Sequence, residues 1–165
     1  MIVVSDTSPI TNLAAIGYLD LLRELYGTIV IPQAVYQEMT RGGISIPGAL
    51  EVQTLNWIET QQVTNQSLVS LLQIQSKLDP GESEAIALAV ELQADWLLID
   101  EELGRTASKD YGLRLAGVLG ILIEAKTQGL IAQVKPILDD LIVKAEFWVS
   151  QSLYLRVLQV AEEKA

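Results

Sequence analysis

The 165-residue chain contains no cysteine and no histidine. Without cysteine there is no disulfide framework, no thiolate metal site and no cysteine nucleophile, which suits a reducing cytoplasm. Without histidine, a serine–histidine triad, a histidine general base and an imidazole-rich zinc site are excluded. Carboxylates are therefore the main candidates for catalytic groups, and any metal chemistry would use oxygen ligands.

Basic residues and long apolar runs are also scarce. The chain has 11 lysines and arginines against 21 aspartates and glutamates, a net charge of −10, so we expect no broad cationic surface for duplex nucleic acid. The amino-terminal residues lack the basic segment and apolar stretch of a signal peptide. The apolar run 115–123 is far shorter than the ~20 residues that span a bilayer. We therefore expect a soluble cytoplasmic protein with no membrane partner.

Short apolar runs typical of strands alternate with stretches of helical spacing. We predict strands at residues 2–4, 28–31, 57–63, 96–99 and 113–115. Helices are predicted between them, one of them starting with Ser8 as its cap and another opened by Pro32 and ending near residues 42–43. Three helices at 118–128, 131–144 and 150–164 form a helical C-terminal end. This alternation indicates an α/β protein with a parallel sheet covered on both faces.

Nothing in the sequence divides the chain into parts. Half of the residues are hydrophobic, which is enough for a sizeable core, and no repeat, charge block or linker-like segment interrupts the pattern. We therefore expect residues 1–165 to form a single domain.

Two aspartates follow predicted strands. Asp6 comes just after the first strand and Asp100 ends the strand at 96–99. The functional crevice of an open parallel sheet lies beyond the carboxyl ends of its strands, so both carboxylates should reach the same edge. Asp6 could instead be a turn residue that bonds the backbone of Thr7 and Ser8. Asp100 could instead cap a helix that begins at Glu101.

Two glutamates lie on predicted helices. Glu38 borders the apolar face of the helix after the second strand, although an exposed, solvated side chain is the simpler interpretation. Glu82 is followed at helical spacing by apolar residues, which places its carboxylate at the N-terminal end of a buried stripe. It could equally complete a capping box with Asp79.

Other charges near these four have simpler interpretations. Glu84 lines up with Glu91 and Asp95 on a polar stripe that should face solvent. Arg105 and Lys109 lie one turn apart and could contact substrate phosphates, or could simply form a solvated helix face.

The four acids in their surroundings resemble a PIN domain. Asp6 follows the first strand, Glu38 lies on the helix after the second, Glu82 lies in GESEAIALA at 81–89, and Asp100 ends WLLID at 96–100. The similarity extends through Gly112 and GVLGIL at 117–122, and it points to a prokaryotic branch related to VapC-type toxins. It implies a three-layer α/β/α sandwich with a central parallel sheet, and metal-dependent ribonuclease activity.

The resemblance assigns Asp6, Glu38, Glu82 and Asp100 as both metal-binding and catalytic residues. Asp6 and Asp100 would be the principal ligands, Glu38 and Glu82 would flank them, and Glu102 would be an outer participant. Oxygen-only ligands suit Mg²⁺ or Mn²⁺, and such a cation would relieve the repulsion among converging carboxylates. The family often has aspartate at the position of Glu82, and the longer side chain could change the metal spacing.

The function implied by the resemblance is hydrolysis of RNA phosphodiester bonds, as the toxin of a toxin–antitoxin pair. The expected partners are an RNA substrate, an antitoxin protein and a second copy in a homodimer, since the apolar segment 147–158 suits a protein interface. The alternative is a catalytically silent PIN-like interaction module, which would have no physical reason to concentrate four acids. A phosphotransfer receiver domain is disfavoured because residues 113–116 offer no lysine.

Overall fold

The computed structural model describes residues 1–41 and 46–165. Within these residues, five strands form one sheet: β1 (Val3–Ser5), β2 (Ile29–Pro32), β3 (Ile58–Gln61), β4 (Trp96–Leu98) and β5 (Leu115–Ala116). All neighbouring strands are parallel, and the order across the sheet is β3-β2-β1-β4-β5. The central strand β1 pairs through Val4 with Val30 on one side and with Leu97 on the other.

Helices connect these strands and cover both faces of the sheet. The described ranges contain α1 (Thr7–Ala15), α2 (Asp20–Tyr26), α3 (Gln33–Arg41), α4 (Ala49–Thr54), α5 (Gln66–Gln75), α6 (Pro80–Glu91), α7 (Glu102–Lys109), α8 (Val118–Thr127), α9 (Lys135–Lys144) and α10 (Gln151–Val160). None of the helices in residues 1–41 and 46–165 is long and apolar enough to cross a membrane.

The side chains of the strands alternate between the two faces of the sheet, so the hydrophobic core has two parts. Val3 faces a core built with α1, α2, α8, α9 and α10. Val4 faces the opposite side, where α5, α6 and α7 supply the buried side chains. Successive strand residues point to opposite faces, so β1 is buried on both. The predicted α/β/α sandwich with a central parallel sheet is thus confirmed.

Several predicted boundaries differ from the structure. The first helix begins at Thr7, so its N-cap is Asp6 and not Ser8, and the Asp6 side chain makes no capping bond. Strand β5 lies later than predicted, because its pairing is set by Leu97 opposite Leu115. The ninth helix begins at Lys135 and not at 131. The predicted end of the third helix at 42–43 lies outside the described residues.

Candidate active site

The candidate site lies where the connections on either side of β1 diverge. Strands β1 and β4 are neighbours, while β2 and β3 extend the sheet in one direction and β5 in the other. Asp6 follows β1 directly and its N–H donates to the Leu98 carbonyl at the end of β4, at 2.9 Å. Asp100 lies two residues after Leu98, the last residue of β4. A crevice at this switch point is the usual place for a ligand in an open α/β sheet.

Three carboxylates converge on Gly81, in the first turn of α6. A Cβ atom on this glycine would lie 2.8 Å from Glu38 Oε2, 3.5 Å from Asp79 Oδ1 and 3.6 Å from Asp6 Oδ1. All three oxygens therefore lie within 4 Å of one point. A side chain at position 81 would occupy the space into which they project.

Hydrogen bonds hold two of the carboxylates near Gly81, those of Glu38 and Asp79. The Thr7 hydroxyl donates to Glu38 Oε2 at 3.0 Å. Asp79 caps α6, as predicted, and its Oδ1 accepts from the Glu82 N–H at 2.7 Å. The Glu82 carboxylate lies against α7, with Oε2 3.2 Å from the position of a Cβ on Gly104. The end of β1, the second half of α3 and the first turn of α6 thus bring Asp6, Glu38 and Glu82 to one region.

Asp100 is held by another helix, α8. Its Oδ1 accepts from the Val118 N–H at 3.0 Å, so it caps α8 and not the helix that directly follows it. Its Oδ2 is buried and has no hydrogen-bond partner in the part of the chain that the structure describes. The Arg105 guanidinium lies beside Asp100 and donates through Nη1 to the Ile99 carbonyl at 2.9 Å. Among the described residues, Asp100 thus has one buried oxygen without a hydrogen-bond partner.

Burial and mutual repulsion raise the pKa values of these acids. Burial is the main cause for Asp6, whose pKa rises to about 7, and the charges of Asp79, Glu38 and Glu101 add to it. Burial likewise raises the pKa of Glu82 to about 8, reinforced by its contact with the Asp79 carboxyl. Without a cation, the folded protein therefore holds extra protons in this region at neutral pH.

The same physical cause acts on the other two acids. Burial raises the pKa of Asp100 to about 6, although the Val118 N–H and the positive charge of Arg105 oppose it. Burial also raises the pKa of Glu38, against the hydrogen bond from Thr7.

Two acids near the site were not assigned to it from the sequence. Asp79 was predicted only as a helix cap, yet its carboxylate is one of the three near Gly81. Glu101 contributes negative charge to the environments of Asp6, Glu38, Glu82 and Asp100. The available signals were that Asp79 starts the helix that carries Glu82, and that Glu101 directly follows Asp100.

Three further predicted participants have different positions. Glu102 is exposed and lines the same cavity as Asp100. Lys109 is exposed at the end of α7. Arg105 also lines the cavity, but one of its nitrogens is occupied by the Ile99 carbonyl, so it is not the freely solvated cation that the helical pattern suggested.

The prediction that Glu84, Glu91 and Asp95 all face solvent is wrong for Glu84. Glu91 and Asp95 are exposed as expected, but Glu84 is half-buried. Its Oε1 accepts from the Ala34 N–H at the start of α3, at 3.0 Å. The other two acids also bind backbone, at the start of α5 and at the Ile2 N–H. Each carboxylate lies opposite the start of a neighbouring element, where backbone N–H groups lack partners within that element.

A cavity of about 1300 Å³ adjoins the site. Asp100, Glu101 and Arg105 line it near the strand ends, and α8 lines it towards its other end. There it includes Trp148, which is 82% exposed, and Arg114 stacked over the Trp96 ring at 4.3 Å.

The sequence matches a family model, DUF3368, described as a PIN domain, over residues 2–163. The chain belongs to the PIN-domain family. Its fold is similar to that of a PilT N-terminus domain protein from the hyperthermophilic archaeon Sulfolobus solfataricus P2, with 21% identity and a TM-score of 0.54 over 76% of this chain and 93% of the other. No curated protein matches the sequence significantly. PIN domains are generally nucleases and typically use divalent metals.

The residues of this PIN domain suit a hard divalent cation in their chemistry. Their donor atoms are all carboxylate oxygens, and Asp100 Oδ2 is buried without a partner within the described residues. As placed, no three acidic side chains in residues 1–41 and 46–165 form a ready metal site. Side-chain rotation would therefore have to complete the ligand shell.

Proposed function

We propose that this PIN domain is a Mg²⁺- or Mn²⁺-dependent endoribonuclease that hydrolyses RNA phosphodiester bonds. The observation that carries the proposal is the convergence of Asp6, Glu38 and Asp79 on the space beside Gly81. Asp6 is only 3% exposed, and a buried group of like charges is unfavourable unless protons or a cation neutralise it.

The proposed ligands are Asp6, Glu38, Glu82 and Asp100. A divalent cation held by them would neutralise charge on the phosphate oxygens and make a water molecule easier to deprotonate. Asp79 stays close to this set because it is fixed as the cap of α6.

The side chains themselves orient the site and hold protons. Thr7 fixes one oxygen of Glu38, and the Val118 N–H fixes one oxygen of Asp100, whose Oδ2 has no partner within residues 1–41 and 46–165. The Glu82 carboxyl, with its pKa raised to about 8 by burial, holds a proton at neutral pH in the cation-free protein. Hydrolysis adds water to phosphorus and breaks a P–O bond, and the leaving oxygen takes up a proton.

The adjoining cavity is the proposed approach for the RNA strand. Arg105 and Arg114 are its two cationic side chains, against Asp100 and four glutamates, and Trp96 and Trp148 supply aromatic surface. Aromatic surface with a few cations favours a single strand, whose bases can stack, over a duplex.

The test uses a diverse RNA pool and purified protein with Mg²⁺, Mn²⁺ or EDTA. We expect cleavage with either metal and none with EDTA, and we expect Asp6→Asn and Asp100→Asn to abolish it. Glu162→Gln, which changes an exposed acid on the C-terminal segment, serves as the control and should retain full activity. Equal cleavage in EDTA, or full activity of the Asp6 and Asp100 variants, would contradict the proposal.

Binding of a protein partner is the second candidate function, and the charge of the cavity favours it. Four glutamates line the cavity against its two arginines, and its far end exposes Trp148. A cationic partner with apolar side chains would suit this surface, as in the toxin–antitoxin arrangement that the family resemblance suggests. Co-expression with a neighbouring small open reading frame tests this: an antitoxin must both bind the protein and relieve growth arrest.

A further inference from the structure

Glu84 joins two helices that each carry an acid of the candidate site. It lies on α6, two residues after Glu82, and it contacts α3, which carries Glu38. We propose that Glu84 is a positioning residue that holds Glu38 in the acidic site by anchoring the first turn of α3. The inference rests on the proposed function, in which Glu38 is a metal ligand.

The contact itself is a backbone anchor. Glu84 is half-buried, and its Oε1 accepts from the Ala34 N–H at 3.0 Å. Ala34 is the second residue of α3, where the N–H groups have no partner within the helix. A carboxylate also interacts favourably with the positive end of the helix dipole. Both effects tie the start of α3 to α6.

Glu38 lies one helical turn after Ala34, on the same side of α3. Any shift or rotation of the first turn therefore moves the Glu38 carboxylate.

The Glu38 side chain is exposed, and its carboxylate lies beside the first turn of α6. Its Oε2 is 2.8 Å from the position that a Cβ on Gly81 would occupy and accepts from the Thr7 hydroxyl at 3.0 Å. Gly81 and Glu84 are three residues apart on α6, so they present the same side of that helix. The same helix face thus anchors α3 at one point and accommodates Glu38 at another.

Glu91 provides a matched control on the same helix. It lies two turns after Glu84, and its Oε1 accepts from the Thr64 and Asn65 N–H groups at the start of α5, each at 3.0 Å. The contact is of the same kind, but α5 carries no acidic residue. Loss of Glu91 should affect stability without affecting the site.

The experiment compares Glu84→Ala, Glu84→Gln and Glu91→Ala by calorimetric titration with Mn²⁺. We expect Glu84→Ala to weaken binding about 10-fold, the scale for residues that orient metal ligands. Glu84→Gln keeps an acceptor for the Ala34 N–H and should bind as wild type does, as should Glu91→Ala. Adding Glu84→Ala to Glu38→Ala should weaken binding no further, because the effect acts through Glu38.

Two NMR measurements test the anchor without metal. In Glu84→Ala, and not in Glu84→Gln or Glu91→Ala, the Ala34 amide should exchange faster and the Glu38 carboxyl carbon should change its chemical shift.

Unchanged signals in Glu84→Ala would overturn the inference. Equal loss of Mn²⁺ affinity in Glu84→Gln and Glu84→Ala would also overturn it, since the charge of Glu84 and not its hydrogen bond to the Ala34 N–H would then determine metal binding. A wild-type protein that binds no Mn²⁺ would instead overturn the proposed function, and the NMR signals would still decide whether Glu84 positions Glu38.

Discussion

At the scale of single residues, Asp6 is a carboxylate that destabilises the cation-free fold. Burial, followed by the charges of Asp79, Glu38 and Glu101, raises its pKa to about 7. Between its ordinary value near 4 and this raised value, the folded state binds more protons than the unfolded state. The free energy of unfolding therefore falls as the pH rises through this range.

Asp6→Asn should remove this penalty. We expect its thermal midpoint in metal-free buffer to exceed that of wild type by a few degrees at pH 8 and to converge with it at low pH, because about 1 kcal/mol corresponds to roughly 2–4 °C for a chain of this size. Calorimetry at several pH values measures the difference. A midpoint several degrees below wild type would instead identify Asp6 as a structural turn residue, since its loss would then cost hydrogen bonds.

Gly81 allows a test of the space between the carboxylates. Alanine is favoured over glycine within helices by roughly 1 kcal/mol, but at position 81 its Cβ would lie 2.8 Å from Glu38 Oε2. The end of a flexible side chain can move away, so we expect Gly81→Ala to keep or raise the thermal midpoint and to weaken Mn²⁺ binding. The two properties should change in opposite directions.

Gly120→Ala is the matched control for this variant. Gly120 lies within α8, and a Cβ there would meet no atom of residues 1–41 and 46–165 within 4 Å. It should raise the midpoint and leave Mn²⁺ binding unchanged. If Gly81→Ala also leaves Mn²⁺ binding unchanged, the space beside Gly81 is not part of the metal site.

At the scale of elements, the C-terminal segment is attached to α8 and α9 through Glu163. This carboxylate accepts from the Val134 and Lys135 N–H groups at 2.6 and 2.9 Å, at the start of α9, and pairs with Lys126 of α8 at 2.9 Å. Lys126 also donates to the Ala161 carbonyl. Burial would raise the pKa of Glu163, but these hydrogen bonds outweigh it and hold the pKa below its usual range.

Glu163→Ala should lower the free energy of unfolding by about 1–3 kcal/mol, because it leaves two backbone donors unpaired. Urea titration measures this loss, with the exposed neighbour Glu162→Ala as the control. Since the pKa of Glu163 is lowered, its contribution is present above the ordinary glutamate range and disappears as the pH falls through the lowered value. Equal stability of the two variants would mean that the segment does not hold α9 in place.

Strands and helices were largely predictable from local patterns, and the contacts between elements were not. Apolar runs located the strands, and the residues that follow them located Asp6 and Asp100, because parallel strands end at one edge. The pattern around Asp100 could not show that it caps a helix beginning 18 residues later. Likewise, Glu84 has the spacing of a solvent-facing residue, and only the packing of α3 on α6 places Ala34 opposite it.

At the scale of the whole molecule, a net charge of −10 combines with a concentration of acids at one edge of the sheet. Burial raises the pKa values of Asp6 to about 7, Glu82 to about 8 and Asp100 to about 6. Protons and a divalent cation would therefore compete for the same oxygens. The pH should control how much a metal stabilises the fold.

We expect the stabilisation by Mn²⁺ to increase from pH 5 to pH 8. At pH 5 these carboxyls are largely protonated in the folded state and are poor ligands, whereas at pH 8 most have lost their protons. Metal that binds the folded state raises the midpoint according to its affinity, so the increment at a fixed Mn²⁺ concentration should be larger at pH 8. The metal-free midpoint should move in the opposite direction, because the folded state releases its extra protons over the same range.

Thermal melts with and without Mn²⁺ at constant ionic strength measure how the Mn²⁺ increment and the metal-free midpoint change with pH. Asp6→Asn should flatten both pH dependences, while Glu162→Gln should not. An equal Mn²⁺ increment at both pH values would place the bound ion away from these acids.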